Sequence, residues 1–366
     1  MRVLHLYRPT LPGQRAQTLQ VLHTAAAMAR LGAEATVLCD RGPGAALDVD
    51  LAALGLAPHP RLQVRLCPAL PPIFRRAAAG LWFRSAVKAW SEGPPGVVYA
   101  RDLARLGDLG PGLRARGHRV VLEVHALDAA LDAEAGRDPG PSARREAAAA
   151  RLADGVVANC TGTLQAWREA GLVGALPALA CDNAADPSRA RPTTPTDGWA
   201  RCFGSFLPMK GLELLLAAAA LVGRPLELVG GEAGALSALP VAGAARVAVR
   251  PPLPYAQVPE AMAASEVLLL PLRDNRFGRC FASPLKLWDY LLTDRPIVAP
   301  ALPTLQEPAD RLRLPIHWHR PEDPADLARA WAEGAAAGPR PRFVRSWDQR
   351  AEELLQFFDN PIFGVA

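Results

Sequence analysis

No run of 18 or more apolar residues occurs in this 366-residue chain, so the sequence spells out no membrane-spanning helix. Cysteine is scarce and scattered: Cys39, Cys67, Cys160, Cys181, Cys202 and Cys280 make no C-x-x-C pair. The expectation is six reduced core thiols in a cytoplasmic protein. Aromatic residues are only 6% of the total, and no basic run interleaves with them as a base-stacking platform would, which sets nucleic acid aside as a partner. The start, Met1-Arg-Val-Leu-His-Leu-Tyr7, reads directly as a strand and lacks the apolar stretch of a signal peptide. Charged residues are 21%, too few and too mixed in sign for a disordered chain.

What is present is core material. Half of the residues are hydrophobic, and a chain of this length is expected to divide into two domains of roughly 150–180 residues. The net charge of +5 suits an anionic ligand or an anionic membrane surface.

Strand and helix patterns alternate. Strands are expected at Arg2–Leu6, Ala35–Leu38, Leu62–Leu66, Val97–Ala100, Arg119–Val124 and Gly155–Ala158, with helices near 16–30 and 142–153. Such alternation predicts a parallel, doubly wound sheet. A Pro/Thr/Asp-rich stretch at 184–198 reads as a linker. A second set follows: strands at Ala200–Phe203, Leu226–Val229, Val247–Val249, Val267–Pro271 and Ile297–Ala299, and helices at 212–221 and near 255–264. His317 and His319 fall in a strand-like position without an evident third metal ligand, so a structural role is expected. The helix expected at 346–358 is amphipathic. Residues 73–90 form a basic helix that either packs on its own sheet or lies on an anionic membrane.

The most informative stretch is Phe281-Ala-Ser-Pro-Leu-Lys-Leu-Trp-Asp-Tyr-Leu-Leu-Thr-Asp-Arg-Pro-Ile-Val-Ala-Pro300. It follows a buried strand and a polar loop, 273–279, that carries three arginines. Ser283 is expected at the N-cap and Pro284 at N1 of a helix. A helix beginning just past a buried strand aims free N–H groups at the sheet's carboxyl edge, where doubly wound folds bind phosphate. Lys286 in the first turn is poorly placed for the helix dipole unless an anion lies opposite. Asp289, three residues on, can share its face; the plainer reading is a solvated Lys/Asp pair. Lys210-Gly211 before the helix at 212 is a second phosphate-competent arrangement, with a solvated turn lysine as the plainer reading. His125, Arg101 and Asp102 stand at the ends of first-half strands.

Taken in order, these motifs resemble glycosyltransferase family 4, of the GT-B fold, over nearly the whole chain. Gly204…Lys210-Gly211 is similar to the family's donor loop, Asp182-Asn-Ala-Ala-Asp186 to its linker start, and Glu123-Val-His125 to its strand ending in an active-site histidine. Arg295-Pro-Ile-Val-Ala299 resembles the strand after its Glu-x7-Glu helix. The resemblance implies two doubly wound, Rossmann-like α/β domains facing a central cleft. The acceptor-side domain would be 1–183, the linker 184–198 and the nucleotide-sugar domain 199–345, with 346–366 returning toward the first.

It further implies retaining transfer of a sugar from a nucleotide diphosphate sugar, with no required metal and no cofactor beyond that co-substrate. His125, Lys210 and Lys286 would be the catalytic residues, the lysines neutralising the diphosphate. Gly13, Gly204, Ser205, Gly211, Arg279, Ser283, Pro284, Leu285 and Asp289 would bind the donor, Asp289 standing for the second motif glutamate that holds the ribose. Arg8, Gln14, Arg101 and Asp102 are acceptor-side candidates by their strand-end or loop positions. Two departures stand out: Phe281 replaces the first motif glutamate, and Ser205 replaces the arginine after the donor-loop glycine, with Arg276 or Arg279 as candidate substitutes. Two alternatives are a nucleotide-sugar epimerase of the same fold and a non-catalytic glycosyltransferase-like subunit. The partners expected are a nucleotide sugar and an acceptor that the basic helix leaves room to be membrane-presented, with the protein cytoplasmic or peripheral on the inner membrane face.

Overall fold

The computed structural model describes residues 1–13, 15–42, 50–69, 75–206, 210–231 and 246–360. The chain divides into two units, Met1–Asn183 with Trp347 onward, and Ala184–Ser346.

The first unit is built on β1 (Arg2–Leu6), β2 (Thr10–Leu11), β3 (Glu34–Arg41), β4 (Leu62–Leu66), β5 (Val97–Ala100), β6 (Arg119–Val124), β7 (Gly155–Ala158) and β8 (Ala178–Ala180). They form one parallel sheet in the order β2-β3-β1-β5-β6-β7-β8, with β4 also on β3. β1, β5 and β7 are buried along nearly their whole length, as parallel strands covered on both faces must be. The helices are α1 (Ala16–Arg30), α2 (Arg75–Ser91), α3 (Leu103–Ala115), α4 (Asp128–Glu134), α5 (Gly140–Leu152) and α6 (Thr161–Glu169). The basic helix α2 buries Phe83, Val87 and Trp90 against its own unit and leaves Arg84 and Lys88 exposed. Its first residues, 73 and 74, lie outside the described residues.

The second unit contains β9 (Ala200–Phe203), α7 (Leu212–Val222), β10 (Leu226–Val229), β11 (Val247–Arg250), α8 (Val258–Ala264), β12 (Val267–Leu269), α9 (Leu285–Leu291), β13 (Ile297–Pro300), α10 (Pro303–Leu312), β14 (His317–His319) and α11 (Pro324–Ala337). Its sheet is parallel, in the order β11-β10-β9-β12-β13-β14. Counted from β9 this is 3-2-1-4-5-6, the doubly wound order whose direction reverses between the first and fourth strands. The carboxyl ends of β9 and β12 are therefore where this topology opens a ligand crevice.

Three expectations need correction. Residues 184–198 are not a loose linker: Ala185 bridges Ser346, Pro187–Arg189 forms a helical turn, and Arg189 is buried. The supposed loop before α9 ends in a single π-turn, Phe277–Phe281, closed by Ala282 N–H to the Phe277 carbonyl at 2.9 Å. Ser283 is not the N-cap: Pro284 occupies that position with ψ 123°, and α9 starts at Leu285 without a side-chain cap. The proline disfavours helical geometry at Ser283 and itself takes the extended conformation.

The last helix, α12 (Trp347–Phe358), belongs to the first unit, where it packs along α1 and buries Arg350, Leu354 and Phe358. Among the described residues no helix is long and apolar enough to cross a membrane.

Candidate functional site

Unit two places its lysines at the strand switch point. Gly204 directly follows β9 and has φ +116°, a conformation that glycine tolerates and L side chains resist. Its N–H donates to the Val229 carbonyl at 2.8 Å. Gly230, at the end of the neighbouring β10, presses against it so closely that a Cβ there would meet the Gly204 carbonyl oxygen at 2.9 Å. Side chains are thus kept off both strand ends. The space over Gly204 is taken by two ammonium groups: a methyl group on it would stand 3.4 Å from Lys210 Nζ and 3.5 Å from Lys286 Nζ.

Each lysine is aimed by its own element. Lys210 precedes α7, whose N-cap Gly211 is left-handed with φ +60° and lies under Arg273. Arg273 pairs with Glu213 in the first turn of α7 and with Glu322 at 3.1 Å, bracing that end of the helix. Lys286 is on α9, four residues before Tyr290 and so on the same helix face. The Tyr290 hydroxyl accepts from the Phe203 N–H at 3.1 Å and donates to the Leu269 carbonyl at 3.2 Å, locking α9 across β9 and β12. Leu287, Trp288 and Leu291 complete the buried side of α9.

The electrostatics are unbalanced. Lys210 Nζ donates to Ser205 Oγ at 3.1 Å, whereas Lys286 Nζ is buried and makes no hydrogen bond among the described residues. Burial, with the Lys286 charge beside it, lowers the Lys210 pKa to about 8. Two like charges held together at low exposure, one of them without an acceptor, make a place that an anion would neutralise.

Asp289 does not pair with Lys286 as a shared helix face would allow. It turns to Arg189, whose Nη1 donates to Oδ1 at 2.7 Å. Phe281, where the resemblance expects a glutamate, is fully buried. Arg279 is exposed and pairs with Asp274 through two nitrogens. Ser283, Pro284 and Leu285 lead into α9.

The first unit has a charged cluster of opposite character. Glu123, on β6, accepts from Gln20 Nε2 at 2.6 Å and from Arg350 Nη2 at 2.9 Å. Arg350 also donates to the Cys181 and Asp182 carbonyls, at 2.7 and 2.8 Å. Arg101 Nη1 donates to Gln20 Oε1 at 2.6 Å. Burial alone would push the Glu123 pKa up, but His125, Arg350 and Arg101 hold it well below the usual carboxylate range. His125, just past β6, has Nε2 3.3 Å from Glu123 Oε1 without the alignment of a hydrogen bond. Burial, then Arg101, lowers its pKa to about 4, so the ring is neutral at physiological pH.

The remaining acceptor-side candidates are engaged structurally. Asp102 is the N-cap of α3, accepting from the Arg105 N–H at 3.1 Å, and it pairs with the Arg105 guanidinium. Arg8 pairs with Asp40 at 2.7 Å. Gly13 is required locally, because a Cβ there would come within 2.6 Å of the Thr10 carbonyl oxygen. Gln14 lies outside the described residues. A pocket of about 530 Å³ lined by Arg2, Glu34, Thr36, Pro60, Arg61, Gln63 and Trp90 contains none of the candidates.

Sequence reasoning missed Arg350, Gln20 and Arg189. A buried arginine within an amphipathic helix was the one available sign of the first.

Comparison with known proteins identifies the fold. Sucrose-phosphate synthase from Thermosynechococcus elongatus superposes with a TM-score of 0.70 at 16% identity, covering 100% of this chain and 99% of that one. The catalytic domain of starch synthase IV from Arabidopsis thaliana, bound to ADP and acarbose, gives 0.68 at 11% identity over 99% of both chains. HepE from Anabaena, in complex with UDP and glucose, gives 0.66 at 17% identity, covering 98% and 100%. The fold is that of GT-B glycosyltransferases. Residues 17–175 match the model of Glycosyltransferase Family 4. No curated protein matches the sequence.

Proposed function

We propose that this chain is a glycosyltransferase that moves a sugar from a nucleoside diphosphate sugar to an acceptor hydroxyl, with retention at the anomeric carbon and with lysines in place of a metal at the diphosphate. The observation that carries the reading is the pair Lys210 and Lys286 over Gly204, one ammonium buried and unpartnered, at the strand switch point. The relatives support the donor class: HepE is in complex with UDP-glucose in one structure and starch synthase IV with ADP in another.

The leaving nucleoside diphosphate gains negative charge as the glycosidic bond breaks. Fixed cations stabilise that state more than the bound donor. The departing phosphate oxygen takes the proton of the acceptor hydroxyl as it attacks from the same face.

The test is turnover of UDP-, GDP- and ADP-sugars by Lys210→Ala and Lys286→Ala. Each loss is expected to lower the rate at least tenfold and up to about a hundredfold, the effect of removing one transition-state contact of roughly 3 kcal/mol. Near-normal rates in both variants would overturn the proposal. The buried Phe281 favours a second reading, a subunit that binds the donor without turning it over. Calorimetric binding of a nucleotide sugar with no product across an acceptor panel would select it.

A further inference from the structure

The first sheet has a switch point of its own, because β2, β3 and β4 lie on one side of β1 and β5 to β8 on the other. The carboxyl ends of β1 and β5 therefore open a second crevice of the kind that binds ligands. The Arg101 and Asp102 N–H groups both donate to the Leu6 carbonyl, at 3.3 and 3.2 Å, which fixes the backbone at that edge. Arginines gather there on aromatic faces. The Arg101 guanidinium lies 5.3 Å over the Tyr7 ring, and those of Arg8 and Arg105 lie 5.7 and 4.8 Å from the buried Phe83 ring. Guanidinium groups held against rings in this way are oriented before anything binds.

Their charges do not balance. Arg8 pairs with Asp40 at 2.7 Å and Arg105 with Asp102 at 2.8 Å. Arg101 makes no ion pair among the described residues, and the side-chain hydrogen bond it does make goes to a neutral group, Gln20 Oε1. Arg8 Nη1 is buried without an acceptor. The other titratable groups within electrostatic reach of Arg101 are Glu123, which Arg350 already compensates, His125, which is neutral at physiological pH, and Tyr7. Arg15, exposed at the N-cap of α1, also acts on Tyr7 and adds positive charge. A structural arginine at a strand end gains most by ending on a carboxylate, whereas half-buried Arg101 keeps most of its planar fork unspent at the crevice.

Resting on the glycosyltransferase reading above, we propose that the crevice of the first unit binds an oxyanion, a phosphate or carboxylate carried by the acceptor, through Arg101. Lys210 and Lys286 already account for the donor's diphosphate, so an uncompensated cation at a second switch point fits a second anionic substrate. The acceptor is then an acidic or phosphorylated sugar, or a lipid phosphate, rather than a neutral glycan.

The experiment is calorimetry on the full chain saturated with whichever of UDP, GDP or ADP binds, so that the lysine pair is occupied. Glucose, glucose 6-phosphate and glucuronate are titrated into the wild type, Arg101→Gln and Arg101→Lys. Co-sedimentation with phosphatidylcholine vesicles, with and without phosphatidic acid, forms the lipid arm. In the wild type at least one oxyanion is expected to bind roughly tenfold or more tighter than its neutral counterpart, the effect of one charge-assisted hydrogen bond. A preference confined to the sugars assigns a soluble acceptor, and one confined to phosphatidic acid a lipid-borne one. Arg101→Gln, which can still donate to Gln20, should lose the preference and keep wild-type nucleotide affinity. A purely structural arginine would instead lower the melting temperature and leave the preference intact. A wild type indifferent to charge in both arms, or an Arg101→Gln variant that keeps the full preference, overturns this inference and leaves the diphosphate site standing. Absence of binding by all three nucleotides would remove both. Should Arg101→Gln fail to fold, Arg101→Lys decides: it keeps the charge without the planar fork, so an unchanged preference overturns the inference and a reduced one supports it.

Discussion

The two units are built on the same kind of parallel sheet, yet they treat buried charge in opposite ways. In the first, Glu123 and Arg350 are 2% and 0% exposed, and Gln20, Arg101 and two carbonyls extend their network. In the second, Lys286 brings a buried ammonium beside Lys210 and leaves it without an acceptor. A network of opposite charges compensates its buried ions, even though Arg350 Nε and His125 Nε2 find no hydrogen-bond partner among the described residues. An open pair of like charges lowers stability until something anionic arrives. The contrast separates architecture from binding capacity more sharply than position at a strand end does, since both clusters sit at strand ends.

The contrast can be broken by stability measurements. Arg350→Met strands a buried carboxylate and is expected to cost about 3–5 kcal/mol, read as a lower midpoint in denaturant unfolding. Lys286→Met removes a buried, unsatisfied donor and should leave the unliganded protein as stable as before or slightly more so, by up to about 1 kcal/mol. Equal destabilisation by both changes would erase the distinction.

A titration sharpens it. The Lys210 pKa is about 8 in the folded protein against an ordinary 10.5. Below pH 8 folded and unfolded chains both keep that proton, and the penalty is complete. Between 8 and 10.5 the unfolded chain holds more protons, so this lysine's contribution makes stability rise with pH. Affinity for a nucleoside diphosphate should fall across the same interval as the cation is lost. Thermal unfolding of wild type and Lys210→Met, with and without UDP, checks both slopes; identical slopes in the two proteins would refute them. The smallest effect is expected at Arg279, exposed and paired with Asp274. Arg279→Ala should match the wild type in melting temperature and in UDP affinity.

Much of the frame is legible from the chain alone because buried parallel strands are uninterrupted apolar runs. β1, β5, β6 and β7 fall where those runs predict, β9 and β10 where a single charged residue interrupts them, and β4 where Leu-Gln-Val-Arg-Leu alternates. β2 and β8, two and three residues long, are too short to show any period. Lys210 and Lys286 are visible because a lysine at a helix start is electrostatically misplaced without an anion. What stays hidden is long-range pairing. Gln20 meets Glu123 across 103 positions, Arg350 meets it across 227, and Arg189 meets Asp289 across 100. No local pattern encodes such encounters. Ser283 illustrates a different failure: a favourable capping residue was outweighed by the proline after it.

The return of α12 to the first sheet has a consequence for biosynthesis. Arg350 is translated only after all of Ala184–Ser346, so until then Glu123 has Gln20, His125 and Arg101 near it but lacks its buried arginine partner. A fragment ending at Asn183 would keep that carboxylate and lose the arginine that donates to it at 2.9 Å. Supplying Trp347–Phe358 as a separate peptide should restore it, which makes the last helix a natural complementation partner rather than a tail.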